Sequence, residues 1–95
     1  MAIHPAALEE ADSAVTWYAR RSRRAAGMFL DELDRAIDQI RQNREQYSPD
    51  EFSARRLVLR RFPFAIVFRR VAAGVEIIAI AHGRRRPGYW RERLG

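Results

Sequence analysis

The chain has 95 residues, no cysteine and a formal charge of +6 at neutral pH. That length predicts one domain, burying somewhat over ~60% of the surface its unfolded form exposes, so its margin of stability is thin. Without cysteine, disulfides and Cys-based zinc sites are excluded; no apolar run approaches the ~20 residues of a membrane span, and no secretory signal is visible, which predicts a cytoplasmic protein with no membrane role.

Met1-Ala2-Ile3-His4 has room for a stub of strand only. Pro5 suits the first turn of a helix. From Ala6 to about Arg21, Leu8, Ala11, Val15 and Tyr18 recur at three and four, with Trp17 beside them, and predict one apolar helix face. Glu9, Glu10 and Asp12 near its start and Arg20 and Arg21 at its end complement the helix dipole. Ser22 is a candidate N-cap for a second helix over Arg24 to Asn43. Phe29, Leu33, Ile37 and Ile40 form its stripe. Two helices with so short a break form an antiparallel hairpin.

Asn43 to Ser53, with Ser48-Pro49-Asp50, reads as a polar loop. The period then changes from helix to strand. Arg56 to Arg61 is rich in β-formers. Phe64 to Arg69 alternates, with Phe64, Ile66 and Phe68 on one face. Val75 to Ala81 is apolar on both faces, as a central strand is. Phe62-Pro63 and Ala72-Ala73-Gly74 mark turns, Pro87-Gly88 stops the last strand, and Tyr89 to Leu94 suits one more helical turn. The predicted fold is α+β, a helical hairpin packed on a small, mainly antiparallel sheet of three or four strands. Leu57, Leu59, Phe64, Ile66, Phe68, Ile77 and Ala79 are expected to pack against Leu8, Val15, Phe29, Leu33 and Ile37.

The charge is uneven. Residues 1–50 carry seven Arg against nine acids (−2), and residues 51–95 carry eleven Arg against three (+8). The C-terminal half is therefore the electrostatic end. All 18 basic residues are Arg. Arg forks grip carboxylates and phosphates bidentately; a GC-rich genome accounts for the same bias. Arg84-Arg85-Arg86 suits a nucleic-acid backbone, an acidic partner, or plain solvation.

Four strings in this order resemble the RelE/ParE family of type II toxin–antitoxin toxins. They are Trp17-Tyr18, Phe29 to Ile37, Leu59 to Phe68, and Ala79 to Trp90 with its Ala81-His82-Gly83-Arg84-Arg85-Arg86-Pro87-Gly88-Tyr89-Trp90 end. The resemblance implies a plasmid-stabilisation type of toxin that arrests growth and is neutralised by a cognate antitoxin encoded by the adjacent gene. It also implies a cellular target, either DNA gyrase or the ribosome with its messenger RNA. The family opens with a full first strand. Here only Met1 to His4 stand in its place, which implies either a short sheet edge or a start assigned too far downstream. The ribonuclease branch carries an arginine in the middle strand after an Asp-Tyr pair, and Ala65 stands at that position. Its basic residue after the last strand is matched by Arg84, and its terminal tyrosine falls at Tyr89 or Trp90.

Metal-independent RNA cleavage requires a base for the 2′-hydroxyl, cations for the phosphate and an acid for the leaving oxygen. His82, Arg84, Arg60 and Tyr89 are the residues that could supply them, provided they converge. The alternative is a non-enzymatic toxin of ParE type that binds its target. Partner contacts then fall to Arg60, Arg61, Arg84, Arg85, Arg86, Tyr89 and Trp90. Equally, His82 could merely end a strand, and Tyr89 and Trp90 could close the core against the first helix. Trp17-Tyr18 is expected in the hairpin packing. His4 has no second ligand at metal spacing, so neither metal nor cofactor is expected.

Overall fold

His4 and Ser22 set the starts of two helices in the computed structural model, which describes residues 1–43 and 53–95. The first, α1, runs Pro5–Ala19 with Pro5 in its opening turn, and His4 Nδ1 accepts from the Ala6 amide at 3.1 Å. Ser22 Oγ accepts from the Ala25 amide at 3.1 Å and caps α2, Arg23–Asn43. Both caps satisfy amides that the first turn leaves without a helical partner. The expected Ser48-Pro49-Asp50 turn lies outside the described residues.

Four strands follow the predicted order. They are β1 (Ala2–Ile3), β2 (Arg55–Val58), β3 (Phe64–Val71) and β4 (Gly74–His82), arranged β1-β4-β3-β2. β1 runs parallel to β4, and the other pairs are antiparallel. A short 3-10 turn, Arg91–Leu94, follows β4. β2 stops earlier than expected. The amides of Arg60 and Arg61 leave the ladder and donate to the Glu32 carboxylate on α2.

The sheet has two apolar faces. Leu57, Leu59, Phe64, Ile66, Phe68, Val75, Ile77 and Ile80 meet Ala7, Ala14, Phe29, Leu33, Ala36, Ile37 and Ile40 of the helices. Ala54, Val67, Ile78, Ala79 and Trp90 close a second cluster on the far face. Two expectations need correction. Ala79 belongs to the far face, because β4 carries a bulge there: Val67 pairs with Ala79 but Phe68 with Ile77, leaving Ile78 without an opposite residue. A bulge breaks the two-residue alternation, so Ile78 and Ala79 both join the far cluster. Leu8 is 53% exposed. α1 instead approaches the core through Ala7 and Ala14, whose small side chains permit close contact.

β1 is short, and β4 reaches well beyond it. The pairing ends at Ile3–Ile77, with His4 donating to the Ile77 carbonyl at 2.9 Å. The continuing edge of β4 is where the candidate site is built.

Candidate functional site

Two side chains replace the strand that β1 does not provide. Glu10 Oε1 accepts from the Ile80 amide at 3.0 Å, and Arg93 Nη1 donates to the Ile78 carbonyl at 3.0 Å. The same two groups join each other, Arg93 Nη1 to Glu10 Oε1 at 2.8 Å and Nη2 to Oε2 at 3.0 Å. Tyr89 completes the cluster by donating its hydroxyl to Glu10 Oε2 at 2.7 Å. Backbone groups that would stand unpaired at a sheet edge are thus satisfied by a bidentate ion pair.

Burial works to raise the Glu10 carboxyl, but the bonds from Arg93, Tyr89 and Ile80 outweigh it and hold its pKa below the ordinary value. Burial and the bond to Glu10 push the Tyr89 phenol up to about 12. Tyr89 therefore remains protonated, with its proton committed to Glu10.

Beside this cluster a cleft of about 600 Å³ lies between α1 and the end of the sheet. One wall is α1, with Ser13 and Trp17; the other carries His82, Arg84, Arg85 and Tyr89. Trp17 is 52% exposed, contrary to its expected place in the packing. Its indole is covered by the Arg21 guanidinium at 3.5 Å from the ring centre, and Arg21 also donates to the Trp17 carbonyl. Tyr18 does pack as expected, against Phe29, Phe62 and Phe64.

His82 Nδ1 accepts from the Arg84 amide at 3.0 Å, and its carbonyl accepts from the Arg85 amide at 3.0 Å. The histidine thereby folds the arginine run into a tight turn, and its ring stands edge-on to Phe64. Arg84, Arg85 and Arg86 are exposed. Arg84 borders the first cleft, Arg86 a second cleft of about 570 Å³ on the far face of the sheet, and Arg85 both. The Arg85 guanidinium carbon lies 3.8 Å from the Tyr89 ring centre.

The fold therefore gathers His82, Arg84 and Tyr89 around one cleft but leaves Arg60 apart. Arg60 and Arg61 border a separate groove with Glu32 and Arg35, and Arg61 Nε lies 3.9 Å from Glu32 Oε1. Trp90 is 6% exposed and fills the far-face cluster, on the opposite side of the sheet from α1. Ala65 is 3% exposed and borders the second cleft with Val67 and Ala81, where the sheet surface is apolar and the cations Arg56, Arg85, Arg86 and Arg91 come from the periphery. Glu10 and Arg93 were not among the sequence candidates. The only hint was a pair of acids, Glu9 and Glu10, in α1 and two basic residues, Arg91 and Arg93, in the last turn. Among the described residues no cluster of His, Cys, Asp or Glu could hold a metal ion, and no helix is long and apolar enough to cross a membrane.

Residues 1–87 match the family model described as the ParE toxin of type II toxin–antitoxin system, parDE. That span covers the helical hairpin, the whole sheet and the arginine turn. No curated protein matches the chain. The chain belongs to the ParE toxin family.

Proposed function

We propose that this member of the ParE toxin family arrests growth by binding an essential target, DNA gyrase being the expected one, and is held inactive by a cognate antitoxin from the adjacent gene. The carrying observation is the separation of the candidate catalytic groups. Arg60 borders a different groove from His82, Arg84 and Tyr89. The Tyr89 proton is engaged by Glu10, and His82 Nδ1 is engaged by the Arg84 amide. Ala65 leaves the middle of the sheet without a cation, and one missing preorganised charge stabiliser costs about 10²–10³ in rate. What stands exposed is a turn of three guanidiniums beside an aromatic-walled cleft, which suits recognition of an acidic surface.

The rival reading is a ribosome-dependent messenger-RNA endoribonuclease of RelE type. It is favoured by His82, Arg84 and Tyr89 sharing one cleft. Purified protein is added to a gyrase supercoiling assay and to a cell-free translation extract. Blocked supercoiling with intact transcripts supports the binding reading. Transcripts cut in a ribosome-dependent manner, with supercoiling unaffected, overturn it. Co-expression with the adjacent gene product and recovery of a stable complex test the antitoxin.

A further inference from the structure

We infer that Glu10 is a positioning residue for the arginine turn, and that through Tyr89 it holds Arg85 ready to take a carboxylate from an acidic partner. This rests on the binding reading above and adds to it the residue that sets the geometry and the chemistry of the contact.

The chain of contacts starts on α1 and ends at the exposed surface. Glu10 takes the Tyr89 hydroxyl at 2.7 Å, and Arg93 grips the same carboxylate. The Tyr89 ring is fixed at both ends, by this bond and by the backbone bond from the Tyr89 amide to the Arg86 carbonyl at 3.1 Å. Arg85 then lies over the fixed ring at 3.8 Å, while the Arg93 guanidinium stands 5.2 Å from the same ring centre. A phenol that donates to a carboxylate has a more electron-rich ring, which strengthens the attraction for a guanidinium on its face.

Stacking uses the face of the guanidinium and leaves its edge of N–H donors outward. Arg85 makes no ion pair with a carboxylate among the described residues, so the fork is available. A planar fork held still matches a carboxylate bidentately and loses less side-chain freedom on binding than a free arginine does. Lysine has neither the plane nor the fork.

Among the described residues Glu10 bonds to Ile80, Tyr89 and Arg93, so its bonded link to the arginine turn runs through Tyr89. Its removal therefore separates positioning from charge. Glu10→Gln raises the net positive charge by one, so simple electrostatics predicts tighter binding to any polyanion. Positioning predicts weaker binding.

The test uses the full chain and poly-L-glutamate as the acidic probe. In the wild type, the Arg85 Hδ protons are shifted upfield by the Tyr89 ring, and Glu10→Gln and Tyr89→Phe both move them toward random-coil positions. Glu10→Gln and Arg85→Lys each bind poly-L-glutamate about tenfold more weakly than wild type, the equivalent of about 1.4 kcal/mol. Arg24→Ala, which removes one charge from the first turn of α2 and no residue lining the cleft, changes binding less than twofold. Should Glu10→Gln not fold, Tyr89→Phe carries the same comparison without touching the ion pair. Unchanged Arg85 resonances in a folded variant, or tighter binding by Glu10→Gln, overturns the inference. So does a wild-type protein that does not bind poly-L-glutamate. The gyrase and transcript assays are read separately, so failure of the toxin reading is distinguishable from failure here.

Discussion

Glu10 and Arg93, 83 residues apart in sequence, close a bidentate ion pair at 2.8 and 3.0 Å over the part of β4 that β1 does not reach. Their side chains are each 17% exposed. Breaking a buried pair by removing one partner costs about 3–5 kcal/mol, and slight exposure places this one near the lower end. Glu10→Ala and Arg93→Ala should each lose about 3 kcal/mol in urea unfolding. The double variant should lose far less than the sum, because the two act as one unit. Additive losses would show that the pair is not coupled.

The pH dependence follows from the direction of the Glu10 shift. Its folded-state pKa lies below the ordinary 4.5, so the group favours the folded state wherever the carboxyl is ionised. That contribution is complete above about pH 4.5 and is lost as pH falls through the lower folded value. Tyr89 works in the opposite direction. Its folded value of about 12 stands above the ordinary 10, so its contribution is present below pH 10 and is lost as pH rises through about 12. The stability gap between wild type and Glu10→Gln should therefore shrink in acid below pH 4. A gap that is constant from pH 7 to pH 3 would contradict this origin.

A buried residue of β3 and an exposed one of α1 give a paired test of the core. Ile66 is 0% exposed, and Ile66→Ala should cost about 2–5 kcal/mol. Leu8 is 53% exposed, and Leu8→Ala should stay within about 0.5 kcal/mol. Thermal melting distinguishes them, since a kilocalorie shifts a domain of this size by roughly 4–8 °C. Equal shifts would mean that α1 is rotated from the orientation described.

Much of this fold was legible in the residues. The Phe29, Leu33, Ile37 and Ile40 stripe is a simple helical period, and Phe64, Ile66 and Phe68 a simple strand period. β4 announces its central place by being apolar on both sides. What misled the reading were local departures from those periods. The bulge at Ile78 turns Ala79 to the far face, and nothing in a run of apolar residues marks where alternation slips. On α1 the larger side chain of Leu8 suggested the core, whereas close packing selected the alanines. In the site, the arginine turn and His82 were visible as a string. Their organiser was not, because Glu10 meets Tyr89 and Arg93 only once the sheet edge has brought both chain ends together. An unpaired strand edge needs hydrogen-bond partners, and a sequence does not say which distant side chains will supply them. Arg60 joins His82 in the sequence only as a cation that RNA cleavage would need if the two converged; the Glu32 carboxylate holds its loop at a different groove.

The most direct measurement of the central claim, recognition without RNA cleavage, is growth arrest by a His82→Asn variant. His82 accepts from the Arg84 amide two residues on. An asparagine side-chain oxygen can accept the same bond, so the arginine turn is retained while the titratable ring is removed. Expression of the variant from an inducible plasmid is compared with wild type and with a triple Arg84→Ala, Arg85→Ala, Arg86→Ala variant. If the protein acts by binding, His82→Asn arrests growth as wild type does, transcripts stay intact, and the triple variant is harmless. If His82→Asn abolishes arrest while the folded variant still binds the antitoxin, and wild type leaves cleaved transcripts, the chain is a ribonuclease and the binding account is wrong.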